Sequence, residues 1–328
     1  LNLLVSIAIP LLNEAESLPE LLEWIDRVLV EHELKAEVIL VDDGSTDESW
    51  EVIQQLSAKY PYIRGLRFAR NYGKAAGLQC AFQAAQGDVL ITMDADLQDS
   101  PDEIPELVRM IREDHFDLVS GWKKKRFDPI SKTIPTKLYN WATRKMSGID
   151  LHDFNCGLKA YKTRVVKQIE LYGDMHRYVP VLAKRLGYDR IGEKVVQHRA
   201  RKYGSTKYGL SRFIKGPLDL LTLSFMSTYG KRPMHLFGTL GILSFVLGLL
   251  MFGYIGGSKL FALWHEIPAK NIATMSQFYI ALAAMIIGSQ LFIGGFVAEL
   301  VRGATPNRNK YVIEERIGFN PEVVATEL

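Results

Sequence analysis

The sequence predicts an α/β domain built on a mainly parallel sheet, followed by two apolar helices long enough to cross a membrane. Three observations carry this. Over residues 1–120, short apolar runs alternate with stretches of helical period, as strands joined by crossover helices do. The apolar runs end in carboxylates, above all Val89-Leu90-Ile91-Thr92-Met93-Asp94-Ala95-Asp96-Leu97-Gln98-Asp99. Leu236–Gly257 and Phe278–Ala298 contain no charged side chain. At about 1.5 Å per residue, each reaches across a hydrocarbon core of about 30 Å.

Strands are expected at Val5–Ile9, Glu37–Val41, Ile63–Phe68, Val89–Met93 and Leu118–Ser120, with helices near 16–32, 47–59, 74–86 and 102–113. The apolar start lacks a basic leader and a small-residue cleavage site, so it reads as the first strand and not as a signal peptide. Ser100 before Pro101 and Asp102 is a helix start. A further strand is expected around Glu193–His198. The tail Tyr311–Phe319 alternates enough to be a short strand that could pair with a neighbour. Two cysteines, Cys80 and Cys156, make no disulfide framework, and no Cys/His spacing suggests zinc; a reducing compartment fits.

The 328-residue chain carries a net charge of only +3, but unevenly. Residues 122–150 hold eight Lys/Arg against two Asp, and residues 201–232 hold seven against Asp219, so the remainder is acidic. Concentrated positive charge suggests a polyanionic partner: phosphates, anionic lipid or nucleic acid. A helix at about 131–146 has Ile134, Leu138, Trp141 and Ala142 on one side among Lys132, Lys137, Arg144 and Lys145. A second from Leu210 repeats apolar residues at 213, 214, 217, 218, 221 and 225. Both read as helices lying on a membrane surface. The expected organisation is a domain over 1–208, an amphipathic helix over 209–232, a transmembrane hairpin over 233–302 and a tail over 303–328. Lys231 and Arg232 precede the first span, Arg302, Arg308 and Lys310 follow the second, and the connecting loop has only Lys259 and Lys270. The positive-inside rule then puts both ends, and the large domain, in the cytoplasm.

In open α/β sheets, ligands bind outside the carboxyl ends of the strands. Asp94 and Asp96 there repel each other unless a cation lies between them, which suits a hard divalent ion holding a diphosphate; capping the helix near Pro101 is the plainer role. Asp42 and Asp43, before Gly44-Ser45-Thr46, can accept from ribose hydroxyls or a base N–H, with Ser45 or Thr46 as helix cap. Lys74 can reach a phosphate or base carbonyl, or be a solvated lysine at a helix start. Lys123-Lys124-Lys125-Arg126, with Lys132, Lys137 and Arg144, gather positive charge that phosphates, anionic lipid or nucleic acid would all meet. The loop Arg201-Lys202-Tyr203-Gly204-Ser205-Thr206-Lys207-Tyr208 has the composition of a phosphate-gripping flap, with Arg201 as its planar fork. G-x-G-x-x-G and G-x-x-x-x-G-K-[ST] are absent, so the usual dinucleotide and P-loop modes are unsupported.

P-x-x-N-E (10–14), V-D-D-G-S-T-D (41–47), N-x-G-K (71–74), D-A-D-L-Q-D-x-P (94–101), D-x-x-C-G-L-K (153–159), H-R-Y-V-P (176–180) and R-x-x-G-x-T-K-Y (201–208) occur in this order. In this the chain resembles the family 2 glycosyltransferases that load a sugar onto a polyprenyl phosphate, over roughly residues 4–320. Dolichyl-phosphate mannose synthases belong there, and the two-helix ending looks most like the bacterial bactoprenol (undecaprenyl-phosphate) glucosyltransferase branch. The resemblance implies a GT-A fold, a sugar nucleotide donor, UDP-glucose through that branch, and an inverting displacement. It implies Mg²⁺ or Mn²⁺ at Asp94, Asp96 and Gln98, and nucleoside contacts from Pro10, Asn13, Glu14, Asp43 and Lys74. It sets Arg201 near the donor diphosphate and Asp153 where relatives hold a catalytic carboxylate; with a lipid phosphate as acceptor, some of Lys123–Arg126, Lys132, Lys137 and Arg144 would hold the acceptor phosphate. Thr206 departs from the family's usual Ser but keeps the hydroxyl.

The partners expected are the donor, the lipid phosphate and the membrane of a bacterial cell, not nucleic acid. Small-residue pairs at Gly253/Gly257, Ala284/Gly288 and Gly294/Ala298, with the tail strand, suggest a homo-oligomer, a tetramer by family guidance; a flippase of the same pathway is a further expected partner. Two other readings stay open: a transferase extending a glycan at a sugar hydroxyl, and a nucleotide-binding membrane scaffold.

Overall fold

A computed structural model describes residues 4–124, 130–173, 175–200, 202–203, 233–268, 271–303 and 313–317. The chain divides into two compact units, residues 1–219 with 309–328, and residues 220–308.

The first unit is organised by an eight-stranded sheet in the order β7-β5-β6-β4-β1-β2-β3-β8. Its strands are β1 (Leu4–Leu11), β2 (Lys35–Asp42), β3 (Ile63–Phe68), β4 (Val89–Thr92), β5 (Leu118–Trp122), β6 (Lys159–Lys162), β7 (Ile191–Val195) and β8 (Ile313–Ile317). β1 pairs in parallel with both β2 and β4, and β2 with β3. Strands covered on both faces read as continuous apolar runs: β1 is buried along all but its first residue, and β4 throughout. The crossover helices are α1 (Leu18–Glu31), α2 (Ser49–Lys59), α3 (Lys74–Ala84) and α4 (Ile104–Arg112). α1 shows why they pack. Leu18, Leu21, Leu22, Ile25, Val28 and Leu29 repeat at helical spacing and are all buried, each such side chain contributing about 1.5–3 kcal/mol.

Four differences from the sequence reading have local causes. The helix expected near 102 is a 3-10 turn, Pro101–Glu103, followed by α4; Pro105 has no amide hydrogen to continue the first turn. β6 was not foreseen. It is four residues long and pairs antiparallel with β4 and β5, so alternation over so short a run carries little signal. β7 begins and ends earlier than Glu193–His198, because only Ile191–Val195 keep register with β5; His198 instead bridges to Asp99. The tail strand β8 pairs antiparallel with β3 of its own chain and closes that sheet edge.

The rest of the unit comprises α5 (Ile130–Ser147), the short α6 (Thr163–Val166), a 3-10 turn Met175–Tyr178 and α7 (Val179–Arg185). α5 turns Thr136, Tyr139, Asn140 and Thr143 inward, while Trp141 stays 57% exposed. The amphipathic helix expected from Leu210 lies outside the described residues. Cys80 and Cys156 are free and buried.

The second unit contains two helices, Pro233–Trp264 and Ser276–Gly303, long and apolar enough to cross a membrane. The first runs past Gly257 because Leu260, Phe261 and Leu263 continue its apolar character. Their outer surface is the inverse of a soluble helix: Leu250 is 65% and Ile293 60% exposed. They meet through small residues. A Cβ on Gly241 would lie 2.7 Å from the Gly288 carbonyl oxygen, and one on Gly288 2.6 Å from that of Gly241. Ser244 donates to the Ala284 carbonyl at 2.9 Å. Gly253, Gly257 and Gly294 face open space, so of the predicted pairs only Ala284/Gly288 lies in this contact.

Candidate active site

The strand order places β2 and β3 on one side of β1 and β4 on the other. That reversal opens a crevice at the carboxyl ends of β1 and β4, where α/β sheets bind ligands. The loops after β1, β2 and β4 and the start of α3 bring the predicted residues to this edge.

The loops after β1 and β2, with Pro10 the penultimate residue of β1, are laced together. Asn13 adopts φ 51, a conformation Asn tolerates, and its amide oxygen accepts from Thr46 N–H at 2.8 Å. Ser45 Oγ accepts from Asn13 N–H at 2.8 Å, and Ser49 Oγ from Glu14 N–H at 2.9 Å. Neither Ser45 nor Thr46 caps α2, which starts at Ser49 without a side-chain cap. Asp42 is fully buried and accepts from Ser45 N–H at 2.8 Å. Asp43 accepts from Tyr72 N–H at 2.7 Å and Gly73 N–H at 2.9 Å, fixing the turn that launches α3. Burial pushes both carboxyls above the ordinary range, more than these donors bring them down. Gly44, at φ +73, lets the loop pass against the Arg70 backbone, where a Cβ would come within 2.6 Å.

At the end of β4 the pattern differs. The Lys74 ammonium pairs with the Asp94 carboxylate. Lys123 pairs with fully buried Asp99 at 2.7 Å. Burial alone would raise Asp94, but Lys74 and Lys123, with His176, bring it down to about 2. Asp99 in turn holds Lys123 above the ordinary lysine range despite its burial. Gly157 leaves room for the Asp94 carboxylate: a Cβ there would lie 2.6 Å from Oδ2. Leu97 is held at φ 59, a left-handed conformation costly for a leucine, in the turn that presents Asp96 and Gln98. Asp96 Oδ1 accepts from Gln98 N–H at 3.3 Å; Gln98 exchanges backbone and side-chain bonds with Arg199, at 2.9 and 3.4 Å. Neither Asp94 nor Asp96 caps the turn at Pro101, which follows Ser100.

Asp153 is 1% exposed, and its Oδ1 accepts from Asn155 N–H at 3.0 Å. Its backbone is clamped. Glu193 Oε1 accepts from the N–H groups of His152 and Asp153 at 2.7 and 3.0 Å, and Ser120 Oγ donates to the Asp153 carbonyl at 3.2 Å. His152 stacks on Trp122 with ring centroids 4.0 Å apart. Lys159, almost fully buried, donates to the Cys156 carbonyl, and burial pulls its pKa down. Sequence reasoning gave no role to Asp99, Gly157, Lys159, His176 or Glu193; the D-x-x-C-G-L-K and H-R-Y-V-P motifs were the signal for three of them.

Of the basic residues expected at an acceptor phosphate, Lys123 lies in this corner, bound to Asp99. Arg144 donates through Nε to the Leu151 carbonyl at 3.0 Å. Lys132 and Lys137 are placed by the α5 backbone only, and Arg126 and Arg201 lie outside the described residues. Beside Arg201, Arg199 lies over the Trp24 ring at 4.1 Å and Lys202 pairs with Glu20 at 2.7 Å.

Among the described residues, no group of three His, Cys, Asp or Glu could alone hold a metal ion. The donor set is nevertheless all oxygen: two carboxylates and an amide within five residues. Mg²⁺ is commonly held by one or two carboxylates plus substrate phosphates, so Asp94, Asp96 and Gln98 fit a site completed by a bound diphosphate.

The model of the family described as Glycosyl transferase family 2 matches residues 6–170. The chain is 34% identical over 303 residues to the dodecaprenyl-phosphate galacturonate synthase of Rhizobium johnstonii, covering 92% of this chain and 88% of that one. It is 36% identical over 248 residues to an undecaprenyl-phosphate 4-deoxy-4-formamido-L-arabinose transferase of Pseudomonas syringae pv. syringae, covering 75% and 71%. Among solved structures, glucosyl-3-phosphoglycerate synthase from Mycobacterium tuberculosis, in complex with Mn²⁺ and UDP-glucose, matches with a TM-score of 0.53 at 20% identity over 69% of this chain and 79% of that one. That likeness is one of fold, the GT-A arrangement of the sheet. With the family model spanning the acidic loops, and a relative aligned along nearly the whole length, this chain belongs to glycosyl transferase family 2 and is a glycosyltransferase.

Proposed function

We propose that this enzyme transfers a sugar from a sugar nucleotide to a polyprenyl phosphate at a membrane surface, with inversion at the anomeric carbon. The observation that carries the reading is the corner at the end of β4, where acidic side chains are balanced by ammonium groups. A salt bridge with Lys74 can be exchanged for contacts with a diphosphate without moving the backbone. The acceptor class rests on the curated relatives, which are named for dodecaprenyl and undecaprenyl phosphate. The exposed Trp141 on basic α5, and the two apolar helices, support a domain working against a bilayer. The charge flanking the spans supports a cytoplasmic catalytic domain on a bacterial plasma membrane. A homo-oligomer and a flippase partner are part of the same proposal.

The acceptor is a phosphate monoester with a second pKa of about 6, largely a dianion at neutral pH. It needs no strong base to attack. One of its oxygens forms the new bond to the anomeric carbon as the bond to the nucleoside diphosphate breaks, and the diphosphate leaves with that electron pair. Asp94, Asp96 and Gln98 would hold Mg²⁺ or Mn²⁺, which would supply neutralisation of the leaving diphosphate. Lys74 and Arg201 add positive charge on the donor side. Pro10, Asn13, Glu14, Asp42 and Asp43 shape the nucleoside end through the laced loops. Lys123, Arg126, Lys132, Lys137 and Arg144 are the proposed acceptor-side cations, of which Lys123 acts from its pair with Asp99. Asp153, buried and accepting from Asn155 N–H, supports the role of a fixed group that orients the sugar or stabilises positive charge developing at its anomeric carbon.

Glucose on UDP is the sugar suggested by the branch resemblance, whereas the curated relatives are named for galacturonate and 4-deoxy-4-formamido-L-arabinose. The test is purified full-length protein in lipid nanodiscs with undecaprenyl phosphate and the three UDP-linked sugars, with and without chelator. Lipid-linked product that requires metal is expected from one donor. No product from any, or equal rates on a water-soluble phosphate lacking the isoprenoid tail, overturns the proposal.

A further inference from the structure

Glu193 stands in the middle of β7, the edge strand of the sheet, and its partner in register on β5 is Ser120. Side chains paired across neighbouring strands leave the sheet on the same face. These two grip the same residue. Glu193 Oε1 accepts from Asp153 N–H at 3.0 Å, and Ser120 Oγ donates to the Asp153 carbonyl at 3.2 Å. Glu193 also holds the residue before it: Oε1 accepts from His152 N–H at 2.7 Å, and Oε2 lies 2.7 Å from His152 Nδ1. The His152 ring is stacked on Trp122 at an interplanar angle of 12°. From α5, Asn140 donates to the His152 carbonyl at 2.9 Å and accepts from Phe154 N–H at 3.3 Å.

Residues 151–156 form neither helix nor strand. Such a loop holds a side chain in one place only as well as its supporting contacts hold the backbone. A carboxylate whose side chain is 11% exposed is costly to bury unless its oxygens are satisfied. The three hydrogen bonds of Glu193 all go to residues 152 and 153. A hydroxyl in its place could not take two N–H groups on one oxygen and a ring nitrogen on another. The residue fixed by this bracket is Asp153.

We propose that Glu193 is a positioning residue for the transfer: it sets the backbone at 152–153, so that the Asp153 carboxylate keeps the one position from which it acts on the sugar. This rests on the role given to Asp153 above and adds the group on which that role depends. Glu193 works through geometry and not through its charge.

The experiment uses full-length protein in nanodiscs. Transfer is followed in a single turnover at saturating donor, and binding of UDP with Mn²⁺ by calorimetry. Glu193→Gln keeps the length and an oxygen that accepts both N–H groups, and is expected within about threefold of wild type. Glu193→Asp keeps the charge but is one methylene short of those groups, and is expected to fall at least about tenfold. Glu193→Ala is expected to fall about a hundredfold, the scale of a displacement of about 1 Å at a reacting site. UDP affinity is expected within about twofold of wild type in all three, which also reports a folded donor site. Placed on Asp153→Asn, Glu193→Ala is expected to lower the rate by less than about threefold more, because the two act as a unit. An Asp variant faster than Gln, losses that multiply in the double variant, or UDP affinity lost together with transfer overturns the proposal. Wild-type transfer in Asp153→Asn would remove this inference alone. Wild-type protein that binds UDP yet transfers no sugar would strike the function proposed above and this inference with it.

Discussion

Two strand ends in this sheet carry paired carboxylates, and they have been put to opposite uses. At the end of β2, Asp42 and Asp43 accept backbone N–H groups from Ser45, Tyr72 and Gly73. At the end of β4, Asp94 meets a lysine side chain, and Asp99, fully buried, meets another. Burial raises the first pair, while the lysines hold Asp94 down to about 2. A backbone donor cannot leave without unfolding a loop; an ammonium on four methylenes can swing away. Carboxylates at the ligand end of a strand therefore do not mark a cation site by themselves. What marks it is whether their partners are replaceable.

The comparison is broken most directly by Asp96→Ala against Asp43→Ala. Asp96→Ala is expected to abolish transfer, a loss of at least about a thousandfold, with membrane insertion and thermal midpoint unchanged. Near-normal turnover by this variant in the presence of chelator would remove the metal assignment. Asp43→Ala leaves the Tyr72 and Gly73 N–H groups unpaired, at a cost of about 2–3 kcal/mol. For a domain of this size that is a fall of about 5–10 °C in thermal midpoint, readable by intrinsic fluorescence. A midpoint unmoved in Asp43→Ala would mean that this pair, too, is held free for ligand.

How much of this was legible beforehand follows the same division. The parallel strands and α1 were plain in the sequence because burial on both faces writes a long apolar record. The acidic corner was legible in kind, since Asp94 and Asp96 follow such a run. Its partners were not: Asp99 and Lys123 are 24 residues apart in the chain, and nothing local says that they meet. β6 was invisible because four residues that run straight into α6 show no period. Gly157 was visible within D-x-x-C-G-L-K, but its reason is a contact with a side chain on another strand's loop. Tail strand β8 was recognised by alternation, while its partner, β3, is the edge that the folded sheet leaves unpaired and is not written in the tail.

Gly157→Ala sharpens the comparison from the other direction. The added methyl would sit 2.6 Å from Asp94 Oδ2, so the carboxylate must turn aside. A displacement of about 1 Å at a reacting site costs about a hundredfold in rate. Transfer should fall by that order and Mn²⁺ affinity with it, while the far-UV spectrum stays that of the wild type. Unchanged kinetics would show that the Asp94 side chain is not held where Gly157 makes room.

The smallest effect expected is the most specific to replaceable partners. Lys74 and Asp94 are both partly exposed, 28% and 33% for their side chains, so their pair is worth about 1 kcal/mol or less. Before donor binds, that pair competes with any cation arriving at Asp94. Lys74→Met removes the competitor and keeps the aliphatic stem. Nucleotide-free Mn²⁺ binding, titrated by electron paramagnetic resonance, should therefore tighten by about fivefold, the factor that about 1 kcal/mol gives. UDP binding should weaken in the same variant, because Lys74 no longer meets the diphosphate. The two changes have opposite signs, which a general loosening of the corner cannot produce. Both affinities weakening together would mean that Lys74 serves Asp94 as Tyr72 and Gly73 serve Asp43, as a fixed support, and the contrast between the two strand ends would no longer hold.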